Sequence, residues 1–357
     1  MKLFTVILCG GRGERFWPRS RRRRPKQFIS LFGSSSLTRR TSDRMLGLCP
    51  LSRQLFVAPA EFRSLVKREV HPRAGNLVLE PVGRNTAPAI GLAAAHLARR
   101  DPTAVMVVLP ADHLITGQRA YEASVRQAVR QAEQGRLVTF GIPPTRPDTG
   151  YGYIQLGERL AGRGRLTAHR VRAFREKPDA RTARRYLASG DYLWNSGMFV
   201  WRVDAILEAF RTHLPGFHEH LAAYGRTVGT AREAAAARAL YRQAPAASID
   251  YAVMEKADNI AVVRASFGWD DVGSWLAVGR HDRADARGNV PGKNSVLLDS
   301  DDCIVDCDRG VVALLGVRGL VVVRAGEAVL VAHRDRLDRV RDLLRELERH
   351  PVGRKQL

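Results

Sequence analysis

Residues 3–9, Leu-Phe-Thr-Val-Ile-Leu-Cys, are an unbroken β-rich apolar run that stops at Gly10-Gly11-Arg12-Gly13. A strand without polar alternation must be covered on both faces, as strands are in a parallel sheet between two layers of helices. Runs of the same kind recur at 55–58, 77–79, 105–109 and 137–140, with helix-periodic stretches between them at 37–46, 60–70, 86–100 and 119–134. That alternation predicts an α/β fold with a doubly wound, mostly parallel sheet. Ligands bind beyond the carboxyl ends of such strands. The segments 10–13, 80–88 and 110–113 all fall there.

Alternation is less regular over 150–280, where 171–175 and 198–203 read as strands and 180–188, 203–211 and 231–240 as helices. A Gly/Pro/Asn/Asp-rich stretch at 285–293 reads as a linker. Beyond it, short β runs at 295–298, 303–306, 311–315, 320–324 and 328–332 predict a small all-β, β-helix-like unit. A terminal helix at 334–348 carries Leu337, Val340, Leu343, Leu344 and Leu347 at helical spacing, a face to pack on that unit. The expected division is therefore 1–285, carrying the chemistry, and 294–357.

With 45% hydrophobic and 26% charged residues, the composition is that of an ordinary globular protein. No apolar run approaches the roughly 20 residues of a membrane span, and 3–9 is too short for a signal peptide. A cytoplasmic protein with no membrane partner is expected. The four cysteines lack the paired spacing of a zinc site and read as reduced structural thiols. The formal net charge of +22 comes mainly from arginines scattered along the chain, which argues against a nucleic-acid stripe. One run departs from the scatter: five of the six residues 19–24 are Arg. It has no interleaved aromatics, and its place beside a glycine loop points to phosphate chemistry.

Glycines directly after a strand let backbone N–H groups close around phosphate oxygens. The loop here is neither a Walker loop, since Glu14-Arg15 replaces Lys-Ser/Thr, nor a dinucleotide fingerprint, since position 16 is Phe. Downstream come Pro25-Lys26-Gln27-Phe28, Glu80-Pro81-Val82-Gly83-Arg84-Asn85-Thr86-Ala87-Pro88, Leu109-Pro110-Ala111-Asp112-His113 and Trp269-Asp270-Asp271-Val272-Gly273-Ser274. Asn85 or Thr86 is also a credible helix cap, and an acidic residue just past a buried strand is a standard magnesium ligand. Thr149-Gly150-Tyr151-Gly152-Tyr153, Arg175-Glu176-Lys177-Pro178 and Trp194-Asn195-Ser196-Gly197 complete the set.

In this order, over about residues 3 to 280, the motifs resemble the sugar-nucleotide pyrophosphorylases. The segment 80–89 looks like the branch that uses GTP and mannose 1-phosphate. The resemblance implies a Rossmann-like nucleotide-diphospho-sugar transferase fold that forms GDP-mannose and pyrophosphate. It implies that Gly10, Gly11 and Gly13 wrap the nucleotide phosphates, that Arg15 and Lys26 hold the departing pyrophosphate, and that Asn85 lies near the guanine. Asp112 and Asp271 would hold magnesium; the family pattern has one Asp directly before Val-Gly-Ser, which selects Asp271 over Asp270. Gly152, Glu176, Lys177 and Asn195 would bind the sugar phosphate. Arg15, Lys26, Asp112 and Asp271 form the implied catalytic set.

The attacking phosphate monoester is already largely dianionic at neutral pH, so no general base is required. The barrier lies in joining two polyanions, which cations, N–H groups and a metal lower electrostatically. Direct in-line attack on the α-phosphorus is expected, without a covalent intermediate. Competing readings are a pyrophosphorylase for glucose 1-phosphate or another sugar, a non-catalytic relative that binds GDP-mannose, and a nucleic-acid-binding protein. Some relatives carry a further C-terminal isomerase domain; residue 357 comes too soon after the β unit for one, so a monofunctional chain is expected. The sequence leaves a homodimer open.

Overall fold

The structure, a computed structural model, describes residues 1–160 and 166–357. These group into two compact units: Met1–Gly10, Thr41–Ala111 and Ile115–Trp269 form the first, and Gly11–Arg40, Asp112–Leu114 and Asp270–Leu357 the second. Packing thus cuts the chain differently from the linear division at 285 and 294.

The first unit is built on β1 (Leu3–Leu8), β2 (Gln54–Pro59), β3 (Leu77–Glu80) and β4 (Val105–Pro110), followed, after the short β5 (Leu114–Thr116), by β6 (Leu137–Ile142), β7 (Tyr153–Leu160), β8 (Ala168–Arg175), β9 (Tyr192–Arg202) and β10 (Ile260–Arg264). All but β5 join one nine-stranded sheet in the order β3-β2-β1-β4-β9-β6-β10-β8-β7. Only β8 and β9 oppose the other seven strands, as the parallel pairs β1–β2, β1–β4, β2–β3 and β6–β10 and the antiparallel contacts of β8 and β9 require. The mostly parallel expectation holds.

Alternate residues of β4 enter two different cores. Met106 and Val108 pack with the helix Thr86–Ala98, while Val105, Val107 and Leu109 pack with the helix Gln118–Ala132. Burial on both faces is why these strands read as continuous apolar runs. The long antiparallel β9 and the β7–β8 hairpin were only partly anticipated, because their outer positions carry Glu158, Arg159, Arg170 and Arg172. The helix Pro215–Gly225, which packs on the first of the two cores, carries no distinct sequence signal of its own.

In the second unit, β11 (Gly268–Asp270), most of which belongs to the first unit, leads in, followed by β12 (Ser295–Leu298), β13 (Ile304–Cys307), β14 (Val312–Leu315), β15 (Leu320–Ala325) and β16 (Ala328–His333). β12 pairs β14 and β13 pairs β15 in parallel, and β16 closes antiparallel on β15, giving the small all-β unit that the sequence predicts. Its core combines Val321, Val323 and Leu330 with Phe16 and Trp17 from the far N-terminal segment, and with Trp275, Leu337 and Val340.

Two expectations need correction here. The stretch at 285–293 is not a free linker: Asn289 is buried, bonding Asp285, the Ser300 carbonyl and the Cys303 N–H. Its Asn and Asp side chains organise turns. The terminal helix is also broken, with a 3-10 stretch at Arg334–Arg339 before the α-helix Val340–Arg349.

The arginine run is largely structural too. Arg19 pairs with Asp306 at 2.5 Å, and Arg21 donates to carbonyl oxygens of Pro18, Ala325 and Gln356. Arg24 reaches the Phe28 carbonyl. All four cysteines are free and buried. No helix among the described residues is long and apolar enough to cross a membrane.

Candidate active site

In the second unit the chain leaves Gly11 into a 3-10 turn, Glu14–Phe16, and a second one, Lys26–Phe28. Gly13 has φ 59°, and a Cβ there would lie 2.2 Å from the Lys26 Cβ, so only glycine permits this approach. Gln27 fixes the loop by donating to the Gly11 carbonyl at 3.0 Å.

Lys26 is buried, with 6% of its side chain exposed; its Nζ donates to Asp112 Oδ2 at 2.9 Å and to the Asp271 main-chain oxygen at 2.6 Å. Burial opposes ionisation of Asp112, but the Lys26 ammonium and His113 override it and hold the carboxyl below its ordinary range. Lys26, Asp112 and Asp271 are therefore brought together. Arg15 is exposed, and its contact with the Gly273 carbonyl is long at 3.5 Å, which leaves the guanidinium free to turn to a ligand.

Asp270 and Asp271 separate as their adjacency in an extended segment requires. The Asp270 carboxylate is enclosed by Arg280 Nε at 2.9 Å, His281 Nε2 at 2.9 Å and the Val272 N–H at 2.7 Å. Burial raises its pKa, the bonds to His281 and Arg280 lower it further than that, and the net shift is downward. Val272 follows with φ 51°, a strained conformation for a β-branched residue.

The donor set fits a hard divalent cation. Asp112 and Asp271 offer carboxylate oxygens, and magnesium takes one or two of these and fills its shell with phosphate and water. Among the described residues no group of three or more His, Cys, Asp or Glu gathers to hold a metal, here or elsewhere, so protein would supply at most these two carboxylates.

In the first unit Gly10 is exposed at the end of β1, and Asn85 caps the helix Thr86–Ala98 by accepting from the Thr86 N–H at 2.9 Å. The Asn85 backbone, φ 73° and ψ −171°, lies in a region that is nearly glycine-only. Both sequence-level roles for Asn85 stay open: the cap is real, and its side chain is exposed.

Further along, Glu176 Oε1 meets Lys177 Nζ at 3.2 Å, while Oε2 is buried with no hydrogen-bond partner among the described residues. A Cβ at position 152 would sit 2.3 Å from that oxygen, so Gly152 makes room for it. Asn195 joins the group through its N–H to the Gly152 carbonyl at 2.8 Å. Its side chain is committed to protein: Nδ2 donates to Asp250 at 2.7 Å and Oδ1 accepts from Thr139 at 3.2 Å.

Asp250 is the residue that sequence reasoning missed. It opens a π-helical turn, Asp250–Met254; burial and then the Glu176 charge push its carboxyl up to about 6. A lone acid within Ile249-Asp250-Tyr251-Ala252-Val253-Met254, otherwise apolar but for a tyrosine, was the available signal.

Known proteins resemble this chain over nearly its whole length. Residues 4–286 match the nucleotidyl transferase family model, and residues 293–347 match the MannoseP isomerase/GMP-like beta-helix domain. The mannose-1-phosphate guanylyltransferase of Klebsiella pneumoniae is 40% identical over 352 residues, spanning 98% of this chain and 74% of that protein. The alginate biosynthesis protein AlgA of Pseudomonas aeruginosa is 38% identical over 352 residues, covering 97% of this chain and 72% of that protein. A Thermus thermophilus crystal structure titled mannose-1-phosphate geranyltransferase superimposes with a TM-score of 0.88 at 40% identity, covering 98% of this chain and all of that one. The chain belongs to the nucleotidyl transferase family, among its mannose-1-phosphate guanylyltransferases.

Proposed function

We propose that this chain transfers GMP from GTP to mannose 1-phosphate, releasing pyrophosphate, as a magnesium-dependent cytoplasmic enzyme whose chemistry resides in 1–285. The observation that carries the reading is the buried Lys26 ammonium bridging Asp112 and Asp271, against a glycine loop too tight for any side chain at position 13. That arrangement fixes one cation between the Asp112 carboxylate and the Asp271 main chain, beside a cradle of N–H groups, the equipment for a polyphosphate.

Gly10, Gly11 and Gly13 bind the triphosphate through backbone N–H groups. Arg15 and Lys26 neutralise charge on the departing pyrophosphate. Asp112 and Asp271 would hold magnesium, which when bound neutralises phosphate oxygens and orients them. Asn85 reads the base.

On the sugar side, the unpartnered Glu176 Oε2 accepts from a mannose hydroxyl, and Lys177 pairs with the sugar's phosphate. Gly152 keeps the space open, and Asn195 holds Gly152 and Asp250 in register. The sugar phosphate attacks the α-phosphorus in line, with no proton to remove and no covalent enzyme species.

The test is pyrophosphate release across a panel of nucleoside triphosphates and sugar 1-phosphates. GTP with mannose 1-phosphate should be fastest, and EDTA should abolish turnover. Preference for glucose 1-phosphate would move the chain to another branch, and full activity in metal-free buffer would remove the metal assignment.

A further inference from the structure

A cavity of about 210 Å³ lies within the second unit, between the segment that follows Gly11 and the final helix. Arg12, Arg21 and Arg22 reach it from one wall and Arg341 and Arg345 from the other, against Glu14, Glu348 and the main-chain carboxylate of Leu357; five positive charges less three negative leave an excess of two. Like charges gathered around one concavity repel and are stabilised by an anion.

Several of these charges are available. Arg341 has no ion pair among the described residues, and Arg345 pairs with Asp342 of its own helix in an exposed contact at 3.2 Å; Arg21 adds unneutralised charge only, its donors being taken by oxygens of Pro18, Ala325 and Gln356. Arg22 pairs with Glu348 at 2.6 Å, but both side chains are about half exposed. Such a surface pair is worth about 1 kcal/mol or less and is readily exchanged for a phosphate.

A second, independent feature points the same way. Ser20 lines this cavity, is 2% exposed, and its hydroxyl oxygen is buried without a hydrogen-bond partner among the described residues. An unmet buried hydroxyl costs about 1–3 kcal/mol unless something satisfies it. Trp17 and Leu344 supply an apolar flank.

We propose that this cavity is a second anion site for a small phosphate-bearing molecule, distinct from the residues assigned to GTP and mannose 1-phosphate. Guanidinium forks take phosphate oxygens in bidentate fashion, the Ser20 hydroxyl, closed off in this structure, donates to one of them once a turn about its Cα–Cβ bond brings it to the cavity, and Trp17 covers an attached ring. The volume is below the roughly 300 Å³ at which drug-sized sites begin, so it suits inorganic phosphate or a sugar phosphate and not a macromolecule. Arg12 and Glu14 flank Gly13 of the glycine loop and also line this cavity, so occupancy restrains the loop and raises the KM for GTP. This last step rests on the proposed function; the binding site does not.

The experiment is calorimetric titration of the full chain with glucose 6-phosphate and, separately, with inorganic phosphate. Tighter binding of the sugar phosphate by tenfold or more assigns the site to sugar phosphates, and equal binding assigns it to free phosphate. Arg341→Ser with Arg345→Ser, both exposed, should weaken either probe at least tenfold with an unchanged unfolding curve. Lys26→Ala and Lys177→Ala should leave probe binding within twofold. Binding of neither probe, binding indifferent to the double variant, or binding lost with Lys26→Ala or Lys177→Ala would overturn the site. In kinetics, the better probe should raise the KM for GTP in the unmodified protein and not in the double variant; an unchanged KM would overturn the coupling. Intact calorimetric binding in a protein with no GTP turnover would count against the proposed function and leave the site standing.

Discussion

A serine at position 270 would leave Arg280 and His281 without the carboxylate that now holds both. Removing one partner of a buried pair costs about 3 kcal/mol, so Asp270→Ser should unfold at clearly lower urea. Since the folded pKa of Asp270 is lowered, its contribution is present above about pH 4 and fades as pH falls through the folded value. Asp271→Asn should instead keep the unfolding curve and lose about a thousandfold in kcat, the loss of several kcal/mol from an electrostatic transition state. A folded but dead Asp270→Ser beside an active Asp271→Asn would show that the two roles are exchanged. Glu80 titrates with the opposite sign. Burial raises its carboxyl to about 7 against the Tyr241 hydroxyl, which donates to it at 2.9 Å. The fold therefore favours its protonated form, and stability should fall between about pH 4.5 and 7, by roughly 3 kcal/mol in total. Glu80→Gln should flatten that segment of a pH–Tm curve; an unchanged slope would refute the assignment.

At the scale of elements, the helix Thr86–Ala98 offers a separation of structural from functional demand. Asn85 caps it while sitting in a backbone region suited to glycine. Glycine tolerates that backbone and costs only a few tenths of a kcal/mol as a cap, so Asn85→Gly should raise Tm or hold it level. On the proposed function it should also lower kcat/KM for GTP at least tenfold. A stable variant with unaltered kinetics would leave Asn85 a cap alone. Legibility followed the same logic. Strands buried on both faces and the glycine loop could be read directly, because burial and a backbone with no room for a side chain each dictate residue types locally. The broken terminal helix could not, because Leu337 and Val340, three apart, suit a 3-10 turn as well as an α-helix. Nor could the work of Arg19 and Arg21, whose partners Asp306 and Gln356 are remote in sequence. Lys26, Asp112 and Asp271 carried family wording, whereas Asp250 sits in a π-helical turn that matches no motif.

For the whole molecule, the second unit takes its core from both ends of the chain, with Phe16 and Trp17 packed among Trp275, Val321, Val323 and Leu330. A fragment of residues 1–285 would hold every residue assigned to GTP, magnesium and mannose 1-phosphate yet lack β12 to β16. It should bind GTP poorly and turn over at under a hundredth of the full rate, as pyrophosphate release would record; near-full activity would show that the loop holds its shape without that core. The same interleaving sets a timetable for synthesis. At about 5–20 residues per second, Trp17 waits on the order of 13 to 50 s before Trp275 is made, and longer for the strands beyond it. During that interval the glycine loop and its aromatic neighbours are exposed on the nascent chain, so residues 11–40, translated well before their partners, are among the last to reach their native surroundings.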